Sequence, residues 1–181
     1  SPLQAPTLTM AASKRTGNGT GTTEAFSSKK FTDGNGDPLA HQSSVTITLT
    51  PSCNFRKDDI ISLTHEDEEG LNYEVKLLIT KLNNVSTANL VSSVNAKIQS
   101  IPTNVPNKEI QWSVLLDEEL PMFEKKFVRF GYRWKYKDGE YSVFSPFSLP
   151  AFLPTDFQYK STNGYNLGMI NTLRSLTVNL P

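Results

Sequence analysis

Cysteine and histidine are scarce in this sequence, and each scarcity excludes a class of site. Cys53 is the only cysteine, which excludes an internal disulfide and a metal site built from several thiolates. His41 and His65 are the only histidines, so a zinc centre or a Ser-His-Asp triad would have to be assembled from distant parts. The sequence also lacks a Walker loop, GxGxxG and Gly-x-Ser-x-Gly. We therefore expect no enzyme.

Long apolar runs and an excess of charge of one sign are missing too. No segment approaches the roughly 18 apolar residues that cross a bilayer, and 18 bases balance 18 acids. A neutral chain has no global attraction for nucleic acid or an anionic membrane, so we expect neither as a partner. The chain begins at Ser1 without a methionine and ends in LTVNLP, and we expect a piece of a longer polypeptide.

Alternation of apolar and polar residues is abundant, and it is the pattern of half-buried β-strands. It is clear at 44–50, 72–80 and 110–116, and weaker near Leu8, at 61–63 and at 176–180. We expect seven or eight strands in one all-β antiparallel sandwich over residues 1–181, with an inserted lobe at about 53–107. Within 86–101, apolar residues three and four apart favour a short helix, with a loop and short strand as the alternative. The glycine-rich segment 15–23 predicts a mobile loop.

Residues 128–144 predict a hairpin with one apolar and one basic face. Asp138-Gly139 suits a two-residue turn. Burying a large apolar side chain contributes roughly 1.5 to 3 kcal/mol, which favours a core position for the apolar face. The predicted core residues are Phe130, Tyr132, Trp134, Tyr136, Tyr141 and Val143. The bases Arg129, Arg133 and Lys135 are interpreted as a solvated face, with phosphate binding and docking of another subunit as alternatives.

The order of residues in this hairpin resembles the last hairpin of fibronectin type III modules. There, a core tyrosine on one strand is followed by a glycine turn, then Tyr-Ser and a Ser-Pro-x-Ser stretch. The matching residues here are Tyr132, Gly139, Tyr141, Ser142, Ser145, Pro146 and Ser148. The resemblance implies a fibronectin-like or immunoglobulin-like sandwich.

A longer block, ELPMFEKKFVRFGYRWKYKDGEYSVFSPFSLPAFLP followed by YNLGMIN, resembles part of large virion structural proteins from the neck and tail of tailed bacteriophages. Those proteins are described as stabilisation, muzzle or nozzle components. The resemblance covers about residues 119–171 and implies location in a virion and a non-catalytic role in assembly. The implied partners are other virion subunits, in a homo-oligomeric ring. Candidate contact residues are Arg129, Arg133, Lys135, Phe152, Phe157, Tyr159 and Tyr165.

Two other interpretations stay open at this point. Asp33, Asn35 and Asp37 alternate in DGNGDP, a spacing with which oxygen-rich loops bind calcium, but the bidentate glutamate of an EF-hand is absent. A tight double turn is the competing explanation. The competing function is a recognition module that binds carbohydrate or a receptor through loops 15–23 and 32–38. Hydrolysis with His65 as general base is a third, weaker alternative.

Overall fold

The computed structural model describes residues 2–21, 23–124, 126–154, 159–160, 165–166 and 169–181. Over these ranges the fold is all-β and antiparallel, and it contains no α-helix, so no helix there is long and apolar enough to cross a membrane. The strands are β1 (Thr7–Ala11), β2 (Ala25–Lys29), β3 (Ser44–Cys53), β4 (Ile60–Glu66), β5 (Asn72–Val85), β6 (Val91–Ser100), β7 (Ile110–Leu116), β8 (Tyr159–Lys160), β9 (Tyr165–Asn166) and β10 (Ser175–Asn179).

The chain forms two compact units. Residues Arg15–Glu118 form one, which we call the barrel unit. Residues Ser1–Lys14 and Glu119–Pro181 form the other, which we call the hairpin unit. The segment 53–107, which we expected to contain an inserted lobe, supplies strands β4, β5 and β6 of the barrel.

Six strands of the barrel unit close into a barrel in the order β2-β3-β6-β5-β4-β7, with β7 pairing back to β2. The closing contact between β2 and β3 is short, a single pair at Phe26 and Thr50. The antiparallel all-β prediction is confirmed, whereas a closed barrel differs from the open two-sheet sandwich that we expected. Closure gives each of the six strands two neighbours, although the β2–β3 seam is paired only at Phe26 and Thr50.

Alternation decides which side chains fill the barrel. In β3, Val45, Ile47 and Leu49 are buried while the threonines between them are exposed. Trp112 in β7 is the largest fully buried side chain; its Nε1–H donates to the Lys29 carbonyl (2.9 Å), and its ring meets Phe31 edge-on with centroids 5.3 Å apart. The indole therefore buries a large apolar surface without leaving its donor unsatisfied.

A strand stands where we expected a short helix within 86–101. From Val94 onward the buried positions of β6 alternate with period two. The three-residue step from Val91 to Val94 lies beside a register shift in β3 between Thr48 and Cys53. The step of three residues followed by steps of two gives β6 a spacing of buried apolar residues that imitates one face of a helix.

The glycine-rich loop that we expected to be mobile is held against the barrel. The Arg15 guanidinium donates to both carboxylate oxygens of Asp59, at 2.7 and 2.5 Å. Gly19 has a φ of +75°, and a Cβ there would lie 2.6 Å from the Phe55 ring. The loop thus needs a glycine both for its backbone conformation and for close approach to a buried ring.

The hairpin unit has far less secondary structure. β1 pairs with β10 from Thr7–Asn179 to Ala11–Ser175. Arg174 fixes the end of this ladder, since its Nε–H donates to the Glu119 carbonyl (2.7 Å) and its Nη1–H donates to the Ala12 carbonyl (3.0 Å). The two-stranded pair β8–β9 contributes backbone pairing only at residues 159–160 and 165–166.

Removing the buried indole should destabilise the protein far more than removing the half-exposed one. We expect Trp112→Ala to lower the free energy of unfolding by about 3 to 5 kcal/mol, because it leaves a cavity. Trp134→Ala is the matched control and should change it by less than about 1 kcal/mol, since Trp134 is 45% exposed. Urea unfolding followed by circular dichroism measures both. Equal losses would contradict this assignment of the core.

Burial also lowers the reactivity of the single thiol, that of Cys53. Cys53 is fully buried in the barrel, and desolvation raises the pKa of its thiol from 9.0 to about 11. We expect no reaction with a disulfide reagent at pH 8 until the chain unfolds. The pKa of this thiol is higher in the folded chain than in the unfolded chain. The neutral thiol therefore contributes fully to the free energy of unfolding below pH 9, and this contribution is lost as the pH rises towards 11. Cys53→Ala, compared by denaturant unfolding across that range, should lack this loss.

Candidate functional site

The aromatic hairpin, residues 128–151, turns through three residues where we expected two. The Gly139 N–H donates to the Tyr136 carbonyl (3.1 Å), and the Tyr136 N–H donates to the Glu140 carbonyl (2.8 Å). Gly139 has a φ of +93°, which fits a type I turn followed by a glycine bulge. Lys135 therefore lies opposite Tyr141, so the pairing is shifted by one residue from the predicted register.

A ladder of three serines joins the two arms of this hairpin. The Ser142, Ser145 and Ser148 hydroxyls each accept a hydrogen bond from a backbone N–H of the first arm, at 2.9 to 3.0 Å, and the backbone N–H of the same serine donates back to the carbonyl of that residue, at 2.8 to 2.9 Å. The partners are Trp134, Tyr132 and Phe130, in that order. Three residues on the return arm thus face two on the first arm, which is a bulge at every rung.

This ladder was missed by reasoning from the sequence, although its signal is visible there. Serine recurs at every third position from 142 to 148, whereas strand reasoning looks for a period of two. Ser145 and Ser148 are buried, which is unusual for a hydroxyl unless it is hydrogen-bonded. Each hydroxyl also donates to the carbonyl of the next residue, at 2.7 to 3.0 Å.

The prediction that the hairpin's apolar face fills a core is wrong for four of its six residues. Trp134, Tyr136 and Tyr141 are 45%, 48% and 50% exposed, and Val143 is 69% exposed. Phe130 and Tyr132 are partly buried. The physical reason is that the two arms of the hairpin pair only with each other, at separate positions such as Val128 with Ala151 and Lys135 with Tyr141. Neither arm is a strand of a sheet that encloses a core.

The predicted basic contacts are exposed, and two of them lie on aromatic rings. The Arg133 guanidinium carbon is 4.0 Å from the centroid of Tyr141 and 5.0 Å from that of Phe144. The Lys135 ammonium is 5.6 Å from the Tyr141 centroid, and Arg129 is exposed. Such cation–π contacts contribute about 0.5 to 1 kcal/mol each at exposed sites, so they order the bases and rings as one surface.

The aromatic contact residues fall partly outside the described chain. Phe152 is partly buried and packs against Phe127, with ring centroids 5.0 Å apart. Phe157 lies outside the described residues, as do the side chains of Tyr159 and Tyr165. Their role at a contact stays a prediction.

Exposed apolar side chains are concentrated in the hairpin unit. Of seventeen exposed large apolar residues in the described chain, fourteen belong to this unit. They include Phe144, Phe147 and Leu149 on the return arm. Phe147 and Leu149 also line a mainly apolar groove of about 380 Å³ with residues 5–8 and Met10. Exposed apolar patches occur at macromolecular contacts, in ligand-binding grooves and at sites prone to aggregation.

The residues proposed for calcium and for general base chemistry have other partners. One oxygen of the Asp33 carboxylate accepts hydrogen bonds from the backbone N–H groups of Asn35 (2.8 Å) and Asp37 (3.0 Å), as in the competing double turn. No group of three or more His, Cys, Asp or Glu side chains in the described chain could hold a metal ion. His65 lies between the rings of Tyr73 and Trp112. The calcium site stays a prediction.

No protein-family model, curated protein or solved structure matches this chain.

Losing one serine hydroxyl should open the hairpin locally. In Ser145→Ala the Tyr132 N–H loses its hydroxyl acceptor, and an unmade buried hydrogen bond costs about 1 to 3 kcal/mol. We expect faster amide hydrogen exchange at Tyr132, measured by NMR. Ser142→Ala is the matched control, because Ser142 is the less buried rung, and its effect on Trp134 should be smaller. Unchanged exchange at Tyr132 would show that the ladder does not hold the two arms together.

Proposed function

We propose that this chain is a non-catalytic structural module of a phage neck or tail protein, located in the virion, that acts through packing against other subunits. The observation that carries the proposal is the exposed aromatic hairpin in a unit that buries little of its own apolar surface. In the described chain, the buried apolar residues of the hairpin unit are Pro2, Pro6, Ala12, Ala151 and Leu173, whereas the core cluster lies in the barrel unit.

The composition of the exposed surface supports a protein partner. Tryptophan, tyrosine, phenylalanine and arginine are enriched where proteins bind proteins and carry much of the binding energy. The hairpin offers all four, in Trp134, Tyr136, Phe147 and Arg133. The resemblance of residues 119–171 to virion neck and tail proteins supports a phage particle as the assembly in which this partner occurs.

The fibronectin-like or immunoglobulin-like sandwich is the finer fold assignment and belongs to the same proposal. It is supported by the antiparallel all-β architecture and by the order of Tyr132, Gly139 and the serines in the hairpin. Two observations differ from such a sandwich, namely that the barrel is closed and that the hairpin is exposed. An experimental structure of the parent protein would show whether neighbouring segments complete a sandwich or whether the chain forms a closed barrel and a separate hairpin unit.

The proposal predicts that the hairpin is covered in the assembled particle. Hydroxyl-radical footprinting of particles that contain the parent protein should show oxidation of Trp134 and Phe147 reduced at least severalfold relative to the isolated chain. Trp112 is the internal control, because it is buried in the chain alone and should be protected in both. Equal oxidation of Trp134 in particle and isolated chain would mean that the hairpin projects freely and would refute the proposal.

Carbohydrate or receptor binding is the second candidate, favoured by the same exposed rings, on which sugars can stack. The Tyr141 ring already has Arg133 and Lys135 over it, which leaves Trp134 and Tyr136 as candidate platforms. Glycan-array binding that disappears in Trp134→Ala would support this candidate. The loop 15–23, expected as a recognition loop, is held against the barrel by Arg15 and Gly19.

A further inference from the structure

The neutral net charge of the chain hides a division of charge between its two units. The hairpin unit contains nine Lys and Arg against five Asp and Glu, a net charge of +4. The barrel unit contains nine against thirteen, a net charge of −4. Opposite charges on the two units give two copies of the chain complementary surfaces when the hairpin unit of one meets the barrel unit of the other.

The basic side of this complementarity is concentrated on the aromatic hairpin. Residues 128–151 contain Arg129, Arg133, Lys135 and Lys137 against Asp138 and Glu140. The described ion pairs are Lys14–Glu119, Arg15–Asp59 and Lys76–Asp117, and none involves a hairpin base. A guanidinium stacked on rings uses its flat face, so the N–H edges of Arg133 stay available to a carboxylate.

The acidic side is concentrated on the last residue of β4 and the loop between β4 and β5, residues 66–71 together, which we call the acidic loop. The Asp67 carboxylate holds this loop by three hydrogen bonds. One oxygen accepts hydrogen bonds from the N–H groups of Glu69 (3.0 Å) and Leu71 (2.9 Å), and the other accepts one from the Tyr73 hydroxyl (3.0 Å). The hydrogen bond from the Leu71 N–H is the largest cause that lowers the pKa of Asp67. The loop is therefore held in one shape, with its remaining side chains directed outward.

Apolar surface accompanies the acids of this loop. Glu66, Glu68 and Glu69 are exposed, and Leu71 beside them is half exposed. An open groove of about 460 Å³ runs along the loop and is also lined by Ile110 and Lys108. The lining of this groove is mostly polar, and its carboxylates complement the bases that surround the exposed aromatic rings of the hairpin.

We propose that the aromatic hairpin of one copy docks on the acidic loop and its groove in the barrel unit of a second copy. This rests on the proposed function and names the partner as the chain itself. A hairpin-to-hairpin contact would bring like charges together, which destabilises an interface. Docking of one surface on a different surface is a head-to-tail contact, which closes into a ring or continues as a filament.

Charge reversal on either side should break this contact. We compare the 181-residue chain with Arg133→Glu/Lys135→Glu and with Glu68→Lys/Glu69→Lys, using sedimentation velocity and light scattering at low salt. The unchanged chain should associate with concentration to masses above 20.2 kDa, and each variant should associate at least tenfold more weakly. Lys57→Glu/Lys97→Glu is the matched control, because both lysines are exposed on the barrel unit and the change in net charge equals that of the hairpin variant. Circular dichroism checks that all the chains fold.

The decisive measurement is whether association returns when the charges of the two surfaces are again opposite. An equimolar mixture of the two variants should associate as the unchanged chain does, and so should one chain that carries all four reversals. A chain that stays monomeric at every concentration, variants that associate undiminished, or a mixture that fails to associate would each overturn the inference. If the chain is monomeric but the hairpin is protected in particles, the partner is a different subunit and the proposed function stands. Without that protection, both proposals fall.

Discussion

The burial of apolar surface in a single barrel is the constraint on which the rest of this structure depends. The core cluster around Trp112 lies within residues 15–118, and closure gives each of the six strands two neighbours. Nothing comparable forms in the described part of the hairpin unit, where the buried apolar residues are Pro2, Pro6, Ala12, Ala151 and Leu173. Aromatic side chains of that unit such as Trp134, Tyr141 and Phe147 are therefore left at the surface, where each forgoes part of the roughly 1.5 to 3 kcal/mol of full burial.

Short-range pattern was enough to predict much of the barrel from the sequence. β3, β5 and β7 follow from period-two alternation because each has one face against the core and one towards solvent. β2 was missed because Ala25 and Ser27 are small, and a five-residue strand with a weak contrast between faces gives little signal. Barrel closure could not be predicted, since it depends on which strand pairs with β2, and alternation within a strand does not contain that information.

The candidate site was only partly predictable, for a related reason. Alternation from Val128 to Tyr136 indicates which side chains share a face of the hairpin, but it does not tell what covers that face. Energetic reasoning favoured a core, and the structure instead exposes Trp134 and Tyr141. The division of charge was hidden in a neutral total, because it becomes visible only when the boundaries after Lys14 and after Glu118 are known.

The serine ladder has a consequence for how this hairpin can change in length. Each rung matches three residues of the return arm to two of the first arm, so the arms remain in step only if they grow or shrink in that ratio. Inserting a single residue between Ser142 and Ser148 would place a different side chain at every later rung and leave the backbone donors opposite without hydroxyls. Adding three residues beginning with serine, together with two on the other arm, would lengthen the hairpin by one rung. Evolution can thus lengthen this hairpin in discrete increments without altering the barrel.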